Sequence, residues 1–326
     1  MNDDDDGNSA TPNAAPPSAK ALHELTLLAK KPATKQRAED AWRLVTSVMG
    51  NPDIHGALDF AIENELVLPC EQTDAGAVNL TWTNPIDGSE MVWIPGGKFI
   101  YGKAGKTAEC PGFSLGRFPV TNVQYAKFRL DTNYEPPTDH PDHGYFLTHW
   151  AAQPLPEKQD EQHPVTHVSF FEALAYAKWA GATLPTEWLW EKAARGTDGR
   201  TYPWGEAMPT PKLTQIGATA TCEVGKFSKV RSPYGCEELI GNVSEWCLPN
   251  AEESRIAEFP DPYPGVPYPT DGNPVQTVVR GACFLRSSNA ATRSNHRRNL
   301  SVARRNQWVG FRLAVFLPVR PATAEA

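Results

Sequence analysis

The sequence predicts an α+β, loop-rich fold preceded by a small amino-terminal helical region. The chain of 326 residues contains 30 prolines, 24 glycines and 10 tryptophans, a composition that favours turns braced by large aromatic side chains over a helix bundle. Short alternating apolar segments predict strands, and separate capping motifs predict short helices. The length suits one large domain or two modest ones.

The amino-terminal part divides into a tail and a helical region. Residues 1–20 are acidic, then rich in Ala, Pro, Ser and Asn, which predicts a disordered tail. Residues 21–75 are rich in helix formers and have apolar residues at helical spacing: Leu22, Leu25, Leu27, Leu28, Ala41, Trp42, Val45, Val48 and the stretch 57–66. This helical region is a candidate docking element for a partner subunit. Residues 76–320 form the predicted main domain.

Strands and helices of the main domain are predicted from local patterns. Val78, Leu80 and Trp82 alternate with polar residues, as in a half-buried strand, and residues 91–94 predict a strand that ends at two glycines. Thr121-x-x-Gln124 and Ser169-x-x-Glu172 match capping boxes at helix starts. Thr186 is a candidate cap for a helix through Arg195, with Gly196 as its left-handed stop.

Composition limits the classes of function. The amino terminus has neither the basic start nor the apolar core of a signal peptide, and no apolar run approaches the ~20 residues that span a bilayer; we therefore expect a cytoplasmic protein without a membrane segment. The net charge of −7 argues against generic nucleic-acid binding by the whole molecule, although a local basic face is not excluded. The six cysteines lack CxxC spacing, which favours free thiols.

Nine motifs between residues 90 and 316 occur in the order of a known family. They are MVWIPGG (91–97), PVTN (119–122), HPVTHVS (163–169), LPTEW (184–188), EKAARG (191–196), YPWG (202–205), GNVSEW (241–246), VRG (279–281) and GFR (310–312). In this set the chain resembles the formylglycine-generating-enzyme (sulfatase-modifying-factor) family. The resemblance implies the family's C-type-lectin-like fold for the main domain.

The resemblance does not extend to the family's catalytic cysteines. In the enzyme that names the family, two cysteines after the Arg-Gly-Gly segment bind copper(I), which soft thiolates suit. In this chain the resemblance puts Arg286 and Ala291 at those positions. Cys283 lies three positions early, and the sequence leaves open whether Cys236 or Cys247 meets it in space. Copper chemistry of the usual kind is therefore not expected.

A second resemblance concerns the related sulfoxide synthases of ergothioneine-type pathways, at residues 164–169, 177–181 and 304–314. Those enzymes hold non-haem iron through three histidines, largely from an amino-terminal helical bundle. Here the amino-terminal region contains only His23 and His55. Further along the chain, His140, His143, His149, His163 and His167 lie close in sequence, and either a metal pair or a loop of capping and solvated histidines fits that pattern.

Family members also carry structural calcium, and the resemblance implies a ligand set at Glu238, Gly241, Val243 and Glu245. Carboxylate and carbonyl oxygens are the donors that calcium prefers. A second family site near Gln215 and Ile216 is less well matched. The alternative for Glu245 is a buried carboxylate bonded to the surrounding loops.

The segment from Arg280 to Arg312 contains eight arginines and no acidic residue. Arginine pairs bidentately with carboxylates and phosphates, so an anionic ligand or acidic partner is one interpretation. In the other, several arginines are internal braces, with Arg280, Arg293 and Arg312 assigned so by family position. The candidate ligand-binding residues are Arg286, Ser287, Ser288, Asn289, Asn295, His296, Arg298, Asn299, Arg305, Gln307 and Trp308.

These residues coincide with the ligand face of the C-type-lectin-like fold. The segment is similar to that of variable proteins of diversity-generating retroelements, whose changeable residues lie there. We therefore predict a non-catalytic binding protein that presents residues 284–308 to a ligand or protein. The alternative is a divergent metal-dependent oxidoreductase with a rearranged site at the histidine loop or Cys283.

Overall fold

A computed structural model describes residues 17–31, 40, 44, 81–110, 112–136, 143–150, 156–249, 275–287 and 290–316. The chain divides into two units: residues 1–69 with 318–326, and residues 70–317. Within the described residues, no helix is both long and apolar enough to cross a membrane.

The first unit contains the helix α1 (Pro17–Ala29). It begins inside the segment predicted to be disordered, because proline is well suited to a helix's first turn. Leu25 and Leu28 are buried, as the apolar cluster predicts, whereas Leu27 is 48% exposed because helical periodicity turns it to another side. The helical patterns predicted at 41–48 and 57–66 lie outside the described residues, apart from Leu44.

The described part of the second unit contains two four-stranded sheets, a hairpin, three α-helices and short 3-10 turns. The first sheet has the antiparallel order β1 (Thr81–Thr83), β2 (Glu90–Ile94), β5 (Phe113–Gly116), β10 (Ala314–Phe316), and β3 (Gly97–Tyr101) pairs with β4 (Lys106–Cys110) as a hairpin. The second sheet has the order β8 (Arg297–Ser301), β7 (Gln276–Arg280), β6 (Ser244–Cys247), β9 (Val309–Gly310). Only the β6–β9 pair is parallel among these described pairs.

The helices begin where their capping residues predict. They are α2 (Asn122–Thr132), α3 (Phe170–Trp179) and α4 (Glu187–Arg195). The Thr121 amide donates to Gln124 Oε1 at 2.9 Å, and the Ser169 amide donates to Glu172 Oε2 at 2.6 Å, so each cap uses its predicted partner. After α4, Gly196 has a positive φ of +65°, which favours glycine, but its ψ of −143° differs from that of the left-handed stop predicted there.

Two apolar clusters hold the second unit together. One packs α2 and α3 against the second sheet; in it, Tyr125 and Tyr176 stack at 5.6 Å and Trp246 is fully buried. The other packs α4 and its Trp190 against the first sheet and the β3–β4 hairpin. Two loops of this unit approach each other very closely at Gly241. A Cβ on Gly241, which has a φ of +93°, would lie 2.2 Å from Thr214 Oγ1, so this position requires glycine.

Candidate functional site

The segment after β7 is anchored along its backbone. The Gly241 amide donates to the Ala282 carbonyl at 2.7 Å, and the Phe284 amide donates to the Asn242 carbonyl at 2.9 Å. Further along the segment, the Arg286 carbonyl accepts from the Gly217 amide at 2.8 Å. Cys283 and Phe284 are buried, whereas Arg286 is half-buried. The loops thus fix the backbone and leave the Arg286 guanidinium at the surface.

The edge strand β8 carries the neighbouring cations. Arg298 lies opposite Val279 in the register, and Arg297 lies opposite Arg280. The Arg298 guanidinium lies 4.6 Å from the ring centre of Trp308, a cation–π contact that orients it. Arg297 differs, because its Nε lies 3.0 Å from the buried carboxylate of Glu187. Arg298 therefore lies beside Trp308 at the exposed edge of the sheet, and Arg297 belongs to an ion pair.

A lysine that the sequence analysis missed joins these cations. The Gly102 amide donates to Glu191 Oε1 at 2.7 Å, and Glu191 Oε2 pairs with Arg280. This connection ties the β3–β4 turn to the second sheet and brings Lys103 towards His296. No local pattern marks Lys103, because only the tertiary bond of its neighbour Gly102 places it there.

The charges interact with one another. Burial, and then the charges of Lys103, Arg280, Arg286 and Arg298, hold the pKa of His296 below its ordinary value. Burial and the Arg286 charge likewise lower the pKa of Arg298. Among the described residues, no carboxylate lies within ion-pair distance of Lys103, Arg286 or Arg298, and no hydrogen bond engages the guanidinium of either arginine. We call Lys103, Arg286, His296, Arg298 and Trp308 the basic surface.

Most of the predicted binding residues have the expected exposure. Those exposed or half-buried are Arg286, Ser287, Asn295, His296, Arg298, Asn299, Gln307 and Trp308. Ser288 and Asn289 lie outside the described residues. Arg293, which family position assigned as an internal brace, is exposed. That assignment is wrong, because the Arg293 side chain points out of the domain.

Arg305 is a correction to the predicted binding set. It is 2% exposed, and its Nε donates to Glu172 Oε2 at 2.9 Å. A second contact joins Arg305 Nη2 to Glu172 Oε1. Arg305 is therefore a buried brace between the carboxyl-terminal segment and the start of α3, not a surface residue. Nothing in the local sequence separates it from its exposed neighbour Arg304.

Arg280 and Arg312 are internal braces, as predicted. Arg280 is 1% exposed and pairs with Glu191. Arg312 is fully buried, and its Nε and Nη2 donate to the two oxygens of Glu245 at 2.7 and 2.8 Å. A planar guanidinium meeting a carboxylate through two parallel bonds is the strong form of this interaction.

The predicted calcium ligand set does not fit calcium in this arrangement. Both Glu245 oxygens accept from Arg312, and Oε2 also accepts from Trp190 Nε1 at 2.7 Å. The Glu238 oxygens accept from the Gly225 amide at 2.8 Å and from Asn242 Nδ2 at 2.9 Å. The loops thus present N–H donors to these carboxylates, whereas a hard cation requires converging oxygens. The structure favours the alternative for Glu245, a carboxylate bonded to its surroundings.

Glu238→Gln should change how stability depends on pH. Burial raises the pKa of Glu238 from 4.5 to about 7, although the bonds from Asn242 and Gly225 oppose this. Between those values the folded state binds more protons at this site than the unfolded state, so its contribution to stability falls as the pH rises. The difference between the folded and unfolded pKa values of Glu238 corresponds to a contribution of about 3 kcal/mol to the free energy of unfolding.

Urea unfolding at about pH 5 and about pH 8 measures this effect. From the lower to the higher pH, the glutamine variant should gain about 3 kcal/mol relative to the unchanged protein. Glu223→Gln, at an exposed position, is the control. An equal pH dependence in the protein and in Glu238→Gln would show that Glu238 does not titrate in this range.

The five described cysteines are free and buried, and Cys70 lies outside the described residues. Burial raises the pKa of Cys236 to about 11 and that of Cys247 well above its ordinary value. Both are therefore protonated thiols near neutral pH in the metal-free protein, and copper(I) would have to displace these protons to be bound by thiolates. The charged group with the largest effect on the pKa also differs between the two thiols. For Cys236 it is Arg312, which lowers the pKa, and for Cys247 it is Glu245, which raises it.

Of the three histidines of this loop whose side chains the structure describes, two lie together. The His149 and His167 rings lie 4.9 Å apart, nearly parallel at 22°. His163 instead contacts Thr221 Oγ1 through Nδ1 at 3.0 Å, while His140 and the side chain of His143 lie outside the described residues. Among the described residues, no group of three or more His, Cys, Asp or Glu side chains is arranged to hold a metal.

Comparison with known proteins agrees with the predicted fold. Residues 79–317 match the model of the sulfatase-modifying factor enzyme 1-like domain. A hercynine oxygenase of Mycolicibacterium smegmatis is 34% identical over 189 residues, which are 48% of this chain and 44% of that protein. A formylglycine-generating enzyme of Thermomonospora curvata is 32% identical over 216 residues, 48% of this chain and 70% of that protein.

Among solved structures, PvdO from Pseudomonas aeruginosa aligns with a TM-score of 0.54 at 20% identity, covering 74% of this chain and 99% of PvdO. This likeness shows the fold. The chain spans less than half the length of the hercynine oxygenases that it matches.

Proposed function

The chain belongs to the sulfatase-modifying factor enzyme 1-like family, and on that premise we propose that it is a binding member of the family. It binds an anionic ligand, or an acidic segment of a partner protein, on the basic surface. The observation that carries this proposal is that, among the described residues, no carboxylate pairs with Lys103, Arg286 or Arg298, in a chain whose net charge is −7. Fold alone does not decide function; the charged residues of this surface indicate what the domain binds.

Like charges held close together raise the free energy of the folded state. Elsewhere in the described domain, arginines meet carboxylates: Arg117 pairs with Glu237, Arg280 with Glu191 and Arg312 with Glu245. Within the described part of the chain, the cations of the basic surface have no such carboxylate partner. An anion that settles between the cations would remove the repulsion and receive charge-assisted hydrogen bonds.

The basic surface also has the geometry of a binding site. The ring of Trp308 beneath Arg298 restricts the guanidinium of that arginine before a ligand arrives, and the backbone bonds at Arg286 fix the main chain from which its side chain extends. Restricting the side chains in advance lowers the entropy cost of binding. The resemblance implies that Arg286 occupies the position of a catalytic cysteine, so a cation stands where the family's enzyme has a thiolate.

The double variant Arg286→Ala, Arg298→Ala should lose binding of a hexa-aspartate peptide measured by calorimetric titration. Each lost charge-assisted bond weakens binding by about tenfold or more. The unchanged protein should also bind the peptide less tightly as salt increases, because exposed charges are screened. Inorganic phosphate, titrated in parallel, distinguishes a small-anion site from an acidic-segment site.

The matched control is Lys158→Ala, Lys229→Ala, which removes the same charge from two other exposed positions. It should bind the peptide as the unchanged protein does. If both double variants lose binding equally, net charge explains the effect and the basic surface is not a site. If neither the peptide nor phosphate binds the unchanged protein, the proposed function fails.

The alternative proposal is a divergent metal-dependent oxidoreductase. The observation that favours it is the 34% identity to a protein named hercynine oxygenase. Consumption of dioxygen by protein loaded with iron or copper, in the presence of a thiol and hercynine, would support it. Under the binding proposal, the loaded protein consumes no more dioxygen than the free metal does.

The variable-protein hypothesis extends the binding proposal to a diversified surface. It requires that residues 284–308 differ between close relatives far more than the buried braces do. Sequencing the corresponding gene from several isolates tests this directly. Equal divergence of the surface and of the braces would leave an ordinary binding surface.

A further inference from the structure

The His149 ring is held in one tautomer by its neighbours. Asn122 Nδ2 donates to the Asp160 carbonyl at 2.8 Å, which directs Asn122 Oδ1 the other way. That oxygen accepts from Trp150 Nε1 at 3.1 Å and lies 3.1 Å from His149 Nε2. Because an oxygen acceptor faces it, His149 Nε2 carries the proton. The lone pair of the neutral ring is therefore on Nδ1.

That lone pair is buried and has no hydrogen-bond partner among the described residues. A buried acceptor without a partner costs about 1–3 kcal/mol, and in folded proteins such an atom usually marks a water, an ion or a functional role. Burial lowers the pKa of His149 to about 3, with a further contribution from His167. Imidazole binds metal ions through such a free ring nitrogen.

His167 supplies the second imidazole. Its Nδ1 lies 3.2 Å from Thr166 Oγ1, and burial lowers its pKa below the ordinary value. Its backbone is in the left-handed region with a φ of +57°, as is that of Leu147 with a φ of +47°. The Leu147 amide donates to the His167 carbonyl at 3.2 Å. Two non-glycine residues held in this region are strained, and such strain tends to be kept where a function requires it.

We propose that His149 and His167 form a binding site for a single divalent transition-metal ion of the zinc type. The support of His149 is that of a metal-ligating histidine, in which the nitrogen away from the metal donates to a fixed oxygen. Imidazole is a suitable ligand for zinc and copper(II). Zinc in proteins is usually four-coordinate, so with two protein ligands, water or a bound ligand would fill the other two positions. Neither histidine is one of the residues of the basic surface.

The test is calorimetric titration of the full chain with zinc chloride in a buffer free of chelators. The unchanged protein should bind one zinc ion per chain, and His149→Gln and His167→Asn should each abolish saturable binding. Asparagine tolerates the left-handed backbone at position 167, and His23→Gln, at an exposed histidine of α1, should bind as the unchanged protein does. Absence of saturable binding by the unchanged protein, or its persistence in both site variants, overturns the proposal.

A second measurement covers the case in which a variant fails to fold. Copper(II) added to the unchanged protein should give an electron paramagnetic resonance spectrum with hyperfine splitting from two imidazole nitrogens. Splitting from one nitrogen or none would overturn the proposal without any variant. Loss of peptide binding at the basic surface would leave this result unchanged, so the two proposals fail separately.

Discussion

Arg312→Leu is expected to destabilise the domain by about 3–5 kcal/mol, because it leaves a buried carboxylate without its counter-charge. Arg312 and Glu245 are both fully buried and joined by two parallel bonds. Arg312 also donates to the carbonyls of Gly116 and Glu237, at 2.8 Å each. One side chain thus joins β5, β6 and the loop before β6, and its removal leaves acceptors in all three without a donor.

Urea unfolding measures the loss, and two further variants make it specific. Arg200→Leu breaks an ion pair with Asp198 at the surface and should cost less than about 1 kcal/mol. The double variant Glu245→Leu, Arg312→Leu should recover part of the loss, because replacing both partners removes the isolated charge. If Arg312→Leu and Arg200→Leu cost the same, the buried pair does not have the role that its geometry assigns.

Features that depend on neighbours in sequence could be predicted. The starts of α2, α3 and α4 follow from the caps at Thr121, Ser169 and Thr186, because a cap binds amides only two or three residues away. The strand at residues 91–94 follows from its apolar run and terminal glycines. The fold followed from a family resemblance carried by many such local motifs in order.

Features that depend on distant partners could not be predicted. Lys103 reaches the basic surface because the neighbouring Gly102 amide bonds to Glu191 on α4. No sequence pattern in the hairpin predicts this bond. The His149–His167 pair depends on the left-handed backbone at His167, a conformation uncommon for histidine. The Glu245–Arg312 pair depends on the pairing of β6 with β9, so the sequence alone left both a calcium ligand and a structural carboxylate open for Glu245.

Arg305→Met should reduce stability without affecting binding, and Arg298→Met should reduce binding without affecting stability. The two variants thus distinguish a buried arginine from an exposed one in the same segment. Arg305 compensates Glu172, which also receives the Ser169 amide at the start of α3. Its loss leaves a buried charge and should cost about 3–5 kcal/mol. Arg298 is exposed over Trp308, so its loss should change stability by about 0.5 kcal/mol or less.

Thermal unfolding and peptide titration of both variants test this contrast. Arg298→Met should keep its unfolding temperature and lose affinity for the hexa-aspartate peptide. Arg305→Met should unfold at a lower temperature and, where folded, bind the peptide as the unchanged protein does, because its guanidinium never reaches solvent. Normal stability with lost binding in Arg305→Met would return this residue to the ligand surface. It would also mean that the Glu172 carboxylate is stabilised by the α3 amides alone.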